Sequence, residues 1–216
     1  MTSSRAERIA LVALTVLALV LSGWSPFDRL TWFLEVLPVL IGLPLAILTF
    51  DRFPLTPLLY RLLFFHSLGL ILGGHYTYAR VPAGDWMRDV FSLSRNPYDR
   101  FGHFVQGFVP AILARELLLR LTPLKPGKWL FFIVVSFCLA FSAVYELMEW
   151  LAAVIIGQGA NEFLGMQGDE WDTQWDMFLA LVGAALSLLL LSGVHGRQLE
   201  RIVSGGSRND SSSGSN

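Results

Sequence analysis

Three pairs of ionisable side chains each have the spacing of one helical turn: Asp99 with His103, Glu146 with Glu149, and Asp172 with Asp176. Residues three or four apart lie on one face of a helix. Carboxylate and imidazole groups presented in this way can bind Zn, Mn, Mg or Fe, and they can also act as acids and bases. The spacing therefore predicts a metal site or an acid–base site, provided that the three helices face one another.

The helices that would position these pairs lie in strongly apolar segments. Of the 216 residues, 54% are hydrophobic and only 15% are charged, whereas soluble domains average about 25% charged residues. A membrane-spanning helix needs about 20 mostly apolar residues. Six segments qualify: Ile9–Trp24, Leu30–Phe50, Thr56–Gly74, Phe101–Leu121, Trp129–Ile156 and Trp175–Val194. The predicted fold class is all-α, a polytopic membrane helix bundle of about six transmembrane helices.

The predicted domain organisation is a single bundle over residues 1–203, followed by a disordered polar tail over residues 204–216. The first apolar segment is short enough to be a cleaved signal peptide. We expect it to be retained, because it lacks an Ala-x-Ala cleavage signal and a second apolar segment follows closely. Cys138 lies in an apolar run and is expected to be a buried, inert thiol. The glycine-containing stretch 157–168 is either a flexible lid or a turn-rich loop.

Lysine and arginine residues favour one orientation of the bundle. With six spans, eleven of them fall on the side of the N-terminus: Arg5, Arg8, Arg52, Arg61, Arg115, Arg120, Lys125, Lys128, Arg197, Arg201 and Arg208. Five fall on the other side: Arg29, Arg80, Arg88, Arg95 and Arg100. Both termini are therefore predicted to be cytoplasmic, in a bacterial inner membrane.

This topology places all six paired residues in the same half of the membrane. Carboxylates from three facing helices would repel one another, so bound cations, protonation or arginine partners must compensate. Below Asp176 the same face continues as Ala180, Gly183, Ala184 and Ser187. Small residues permit close helix approach in lipid, which predicts that this face points into the bundle.

Each pair also has an interpretation without chemistry. Asp99 could cap a helix that starts after Asn96-Pro97. Glu146 and Glu149 could be tethered to a loop arginine, and the two aspartates could begin a helix in an aromatic belt with Trp171 and Trp175.

Other polar residues receive structural interpretations. His66 is expected to be a satisfied buried histidine, and Glu35 a side chain that reaches the membrane interface. Arg115 and Glu116 are expected to form an interfacial ion pair.

Three stretches carry a resemblance to a known family: residues 98–104 (YDRFGHF), residues 145–150 (YELMEW) and the run from Gln167 to Gly183. The chain resembles the YjdF family of bacterial inner-membrane proteins, whose function is not established, over about residues 30–197. It is more loosely similar to the VanZ-like superfamily, with Glu149 where Gln is usual and Asp176 where Asn is usual. That similarity implies a site near lipid head groups in the cell envelope and does not imply a particular reaction.

Three functional hypotheses follow. The first is a metal-dependent site acting on a lipid or lipid-linked envelope precursor, with a ligand set drawn from Asp99, His103, Glu146, Glu149, Asp172 and Asp176. Glu146, Asp172 and His103 are the catalytic candidates. The second is a proton- or cation-coupled transporter, and the third is a non-catalytic membrane scaffold. Membrane lipids are the expected partners, and the net charge of −1 gives no reason to expect nucleic acid.

Overall fold

The computed structural model describes residues 4–157 and 166–212, and all regular secondary structure in these residues is helical. A 3₁₀ turn, Tyr78–Arg80, precedes the short fourth helix. The α-helices are α1 (Arg5–Trp24), α2 (Arg29–Thr49), α3 (Pro57–Tyr76), α4 (Pro82–Phe91), α5 (Tyr98–Leu121), α6 (Lys128–Ile156) and α7 (Asp172–Ser212).

Side-chain caps fix the starts of the first three helices. The Ser4 hydroxyl accepts from the backbone N–H of Glu7, and the Asp28 carboxylate accepts from that of Thr31. Thr56 caps α3 in the same way, with Pro57 in the first turn. Such caps satisfy backbone donors that have no partner within the helix. The predicted segments are confirmed as helices, and their bounds shift by a few residues at most ends.

Five helices are long and apolar enough to cross a membrane: α1, α2, α3, α6 and α7. Helix α5 has 24 residues, a length of about 36 Å, but its charged residues lower its hydropathy. It runs parallel to α7 along that length. Asp99 and Asp172 both contact Arg95 near the start of their helices. About four turns further along α5, Arg115 contacts His195 of α7. Helix α5 therefore lies beside a membrane span over most of its length, as the prediction of about six spans requires.

The crossing of α5 and α7 depends on two glycines. A Cβ atom on Gly107 would lie 1.9 Å from the Ala180 carbonyl oxygen, and one on Gly183 would lie 2.1 Å from that of Phe104. Ala180, Gly183, Ala184 and Ser187 are all buried. The prediction that this small-residue face points into the bundle is confirmed.

The remaining helices surround this pair. Helix α3 packs against α5, α1 and α2 pack against α3, and α6 packs against both α5 and α7. At the end that holds the N-terminus, Arg8 donates to the Phe50 carbonyl. At the opposite end, His75 contacts the Ser22 carbonyl, so His75 joins the end of α3 to α1.

The N-terminal end contains a buried network centred on Glu116. Its carboxylate accepts from the backbone N–H and the hydroxyl of Thr56, from Arg120 at 3.0 Å and from His195 at 2.9 Å. The Arg115 guanidinium contacts the other ring nitrogen of His195. The prediction of an interfacial Arg115–Glu116 pair is thus wrong: Glu116 is fully buried, and both residues pair through His195.

Two stretches, α4 and the end of α7, differ from the predicted organisation. Helix α4 lies between the third and fourth predicted apolar segments, where no helix was predicted. Helix α7 continues to Ser212, past the predicted start of the polar tail; the disorder of the tail stays a prediction. The proposed lid or loop at 157–168 lies mostly outside the described residues. Cys138 is buried, as expected.

Candidate functional site

Carboxylates from three helices surround the imidazole of His103. Its Nε2 atom lies 3.6 Å from Asp99 Oδ1 on α5 and 3.9 Å from Asp176 Oδ2 on α7. Its Nδ1 atom lies 3.7 Å from Glu146 Oε1 on α6. The structure thus brings the predicted pairs together, with His103 between them.

Two sets of potential ligand atoms share this histidine. Asp99, His103 and Asp176 form one set, and His103, Glu146 and Glu149 form the other; within each set the atoms lie within 4.8 Å of one another. Two atoms that each bind one metal ion at about 2.1 Å lie at most about 4.2 Å apart. Each of the three distances from His103 meets that condition, but an ion bound at Nε2 would meet Asp99 and Asp176, whereas Glu146 lies at Nδ1.

Several polar atoms at the centre are buried without a hydrogen-bond partner among the described residues. They are His103 Nδ1, Glu146 Oε1 and Asp176 Oδ1. The three side chains are only 7%, 6% and 4% exposed. Leaving such groups unsatisfied is costly, and native proteins rarely do so. These atoms are therefore available to an ion, a proton or water.

Asp172 lies beside this cluster and pairs with an arginine. Its carboxylate accepts from Arg95, which also contacts Asp99 at 3.3 Å and Asp169 at 3.7 Å. Burial lowers the pKa of the Arg95 guanidinium, but the hydrogen bond and charge of Asp172 outweigh burial and raise it. Arg95 thus stays charged and joins the loop before α5 to the start of α7.

Glu35 on α2 belongs to the site, although it was predicted to reach the membrane interface. It is buried, and it accepts from the Tyr145 hydroxyl at 3.2 Å. A cavity of about 40 Å³ adjoins it, lined also by His66, Tyr78, Asp99, His103, Gln106, Tyr145 and Glu149. Such a volume can hold a few water molecules or an ion. The signal was available, because Glu35 lies one helical turn before Val39, which is also buried.

The site has more carboxyl groups than arginine or lysine partners in the described part of the chain. Among residues 4–157 and 166–212, no arginine or lysine makes an ion pair with Glu35, Glu146, Glu149 or Asp176. Arg100 is nearby but pairs with Asp169. Of the three forms of compensation expected for facing carboxylates, arginine serves Asp99 and Asp172, which leaves bound cations or protons for the others.

The interpretations without chemistry fare differently. Asp99 caps nothing: Pro97 is at the cap position of α5, and Asp99 is buried against Arg95. Trp171 and Trp175 are exposed as an aromatic belt requires, while Asp172 and Asp176 on the same helix start are buried. The belt therefore explains the tryptophans and not the aspartates.

Asn96, a loop residue for which no role in the site was predicted, supports the site. The Asn96 side chain accepts from Tyr98 N–H and donates to the Val81 carbonyl, both at 3.0 Å. The Gln167 side chain accepts a hydrogen bond from the backbone N–H of Asn96 and donates one to the Asn96 carbonyl, each at 3.0 Å. These bonds connect the loop before α5 to the segment before α7. Spacing along the chain carries no signal for them, since Gln167 lies 71 residues from Asn96.

Comparison with known proteins agrees with this architecture. A family model described as "Predicted membrane protein (DUF2238)" matches residues 8–197. The chain is 53% identical over 190 residues to the inner membrane protein YjdF of Escherichia coli (strain K12), an alignment that covers 88% of this chain and 91% of that protein. No solved structure matches. The chain therefore belongs to the DUF2238 family of predicted membrane proteins, as a multi-pass protein of the inner membrane.

Proposed function

We propose that the cluster around His103 binds a divalent metal ion and that this metal site acts on a lipid or lipid-linked phosphate. One observation carries the proposal. A buried imidazole lies within 3.9 Å of carboxylates from three helix positions, and atoms of His103, Glu146 and Asp176 lack any other partner in the described structure. A divalent ion bound at Nε2 of His103 would give Asp99 and Asp176 a shared cationic partner, while Glu146 lies at the opposite ring nitrogen, Nδ1.

The ligand chemistry favours a metal that accepts both nitrogen and oxygen. One imidazole with several carboxylates suits Zn, Mn or Fe better than an all-oxygen Mg site. Asp99, His103 and Asp176 are the primary ligands in this proposal, because the close α5–α7 crossing fixes their helices. Glu146 and Glu149 lie on the Nδ1 side of the ring, so they are not ligands of the same ion in this proposal.

The reaction class follows from what such an ion does. A bound ion polarises a phosphoryl oxygen and makes water more acidic, and Glu146 is then placed to act as general base. Asp172 is a positioning residue in this scheme, since its carboxylate is occupied by Arg95.

The orientation of the protein belongs to the same proposal. In the predicted six-helix topology, eleven lysines and arginines fall on the N-terminal side and five on the opposite side. By the positive-inside rule the N-terminal end and the C-terminus are cytoplasmic. The metal site would then face the outer leaflet, where envelope precursors are handled.

Metal analysis tests the proposal. Detergent-purified protein is dialysed against Zn²⁺ or Mn²⁺, and bound metal is measured by inductively coupled plasma mass spectrometry. We expect about one ion per chain, and at least about tenfold weaker binding in His103→Asn and Asp176→Asn. Glu200→Gln, which changes an exposed carboxylate outside the site, should bind like wild type. Failure of the wild-type protein to bind either ion, or equal binding by all variants, contradicts the proposal.

A proton- or cation-coupled transporter is the second candidate. It is favoured by four carboxylates that have no arginine or lysine partner in the described residues, of which Glu35, Glu146 and Asp176 are buried and Glu149 is partly buried. Liposomes containing the protein would then show flux under an imposed pH gradient, and Glu149→Gln would abolish that flux. Absence of flux from wild-type liposomes removes this candidate.

A further inference from the structure

A second, larger cavity lies between α3 and α5, next to the site. Its volume is about 350 Å³. Most of its lining is apolar, as Leu62, Phe65, Val105, Phe108 and Val109 illustrate. Ligand pockets in proteins begin at about 300 Å³, so this cavity has room for a single slender apolar group.

The two cavities share part of their walls. His66, Leu70, Tyr78 and Gly102 line both the apolar cavity and the small cavity that contains Asp99, His103 and Glu149. The Tyr78 ring lies against the backbone of α5 here, since a Cβ on Gly102 would be 2.7 Å from it. An elongated molecule in the apolar cavity would thus lie next to the small cavity that His103 lines.

The apolar cavity borders the lipid-facing surface of the bundle. Phe65 on α3 is 68% exposed, and Phe101 on α5 is 56% exposed. Both line the cavity, and α3 is long and apolar enough to cross the membrane. The natural medium around these side chains is therefore hydrocarbon, and the molecules present there at high concentration are lipid chains.

We propose that this cavity binds one hydrocarbon chain of a membrane phospholipid, with the phosphate at the wall that the cavity shares with the His103 cluster. The inference rests on the proposed metal site and names the substrate class of that site. The apolar cavity lies beside a small cavity lined by carboxylates and a histidine. This arrangement matches an amphiphile and not a fully polar solute. The size of the cavity fits one chain, so the second chain of the lipid would remain in the bilayer.

A substitution that fills the cavity tests the proposal. Gly69 lines the cavity, and a Cβ atom there would meet only the Tyr98 hydroxyl, at 4.0 Å. Gly69→Leu therefore occupies the cavity without a backbone clash. Gly42→Leu is the matched control, because Gly42 is exposed on α2 and its Cβ would meet nothing within 4 Å.

The probe is a phosphatidylethanolamine with a photoreactive diazirine in one acyl chain, mixed into phosphatidylethanolamine and phosphatidylglycerol vesicles that contain the protein. After illumination, mass spectrometry should find the label on cavity-lining peptides of α3 and α5 in wild type and Gly42→Leu. Gly69→Leu should lose most of that label, by about tenfold, while peptides of α1 stay labelled by surrounding lipid. Unchanged labelling of the cavity peptides in Gly69→Leu overturns the proposal.

The same samples separate this inference from the proposed function. Bound metal is measured in each variant, and Gly69→Leu should bind the ion like wild type because Gly69 is outside the ligand set. Metal binding with no specific cavity labelling overturns the lipid inference alone. Specific labelling in a protein that binds no metal overturns the metal proposal and, with it, the assignment of the lipid as the substrate of a metal site.

Discussion

His103 and His195 are both buried in the bundle, but their ring nitrogens meet different groups. Both nitrogens of His195 have partners, Arg115 on one side and Glu116 on the other. Because arginine can only donate, the facing His195 nitrogen accepts, and the opposite nitrogen donates to Glu116. His103 instead has Nδ1 without a hydrogen bond to any described residue. The first histidine is saturated and structural, whereas the second has capacity for a ligand.

Glu116→Ala should strongly destabilise the protein. The change leaves Arg120, His195 and the Thr56 cap of α3 without their shared acceptor. Removing one partner of a buried charged network costs about 3–5 kcal/mol. Thermal unfolding in detergent should show a clearly lowered midpoint.

Two comparisons make that measurement specific. Glu116→Gln keeps one acceptor oxygen and should lose less stability than Glu116→Ala. Glu200→Ala, on the exposed face of α7, should unfold like wild type. Equal midpoints for Glu116→Ala and wild type would show that the network contributes no stability.

Helix α5 has two roles, which explains its low hydropathy. Its first turns carry Asp99 and His103 for the site, and its last turns carry Arg115, Glu116 and Arg120 for the structural network. Between these ends it packs closely on α7. Its polar groups face other helices, so α5 does not need the apolar surface of a lipid-exposed span.

Gly107→Ala should separate α5 from α7. The added methyl group would lie 1.9 Å from the Ala180 carbonyl oxygen, and neither backbone can move without shifting its helix. Overpacking of this kind costs about 1–3 kcal/mol. We expect a lower unfolding midpoint in detergent and weaker metal binding, because Asp176 would move away from His103.

Gly42→Ala is the control for that substitution. Its methyl group meets nothing within 4 Å, and alanine favours a helix more than glycine does. Its midpoint should equal or exceed that of wild type. If Gly107→Ala behaves like Gly42→Ala, the close crossing is not required.

Helix α4 is amphipathic and lies at the same end as the site. It exposes Trp86, Val90 and Phe91, while Arg88 pairs with Asp85 and Asp89. An exposed apolar face beside charged side chains is typical of a helix at a membrane interface. Its position supports a site close to lipid head groups.

At the scale of the whole molecule, the two ends of the bundle differ in charge and in the kind of polar cluster that they contain. The N-terminal end joins helices through the Glu116 network and has most of the basic residues. The opposite end gathers carboxylates around His103, and Glu146, Glu149 and Asp176 among them have no arginine or lysine partner in the described residues. A bilayer would therefore separate the structural network from the site by most of its thickness.

Cysteine labelling tests the proposed orientation. Ser94→Cys lies in the exposed loop after α4, and Lys125→Cys lies in the exposed loop between α5 and α6, at the other end. A membrane-impermeant maleimide added to intact cells, with the outer membrane made permeable, should label Ser94→Cys only. Lys125→Cys should react only after the inner membrane is opened. The reverse pattern would place the site on the cytoplasmic side.

Wild type provides the background for this experiment. Its single cysteine, Cys138, is buried, so it should react little in either condition.

Much of the architecture could be predicted from local sequence. Apolar length predicted most bounds of the six long helices to within a few residues, the end of α7 excepted, because hydrocarbon thickness and helix rise set the length of a span. The spacing of Asp99 with His103 and of Glu146 with Glu149 placed each pair on one helix face. Alternation of span direction then put them in the same half of the membrane. These are properties of single helices and their order, which neighbouring residues encode.

Only the tertiary structure decided how those faces are rotated and which groups meet. It brought Glu35 into the site, joined Asp172 to Arg95, and placed His195 beneath Glu116. It also opened the apolar cavity between α3 and α5. Each of these contacts depends on the relative rotation and crossing of helices that are distant in the chain. Hydrophobic length and residue spacing do not specify that rotation, because it is set by close packing at positions such as Gly107 and Gly183.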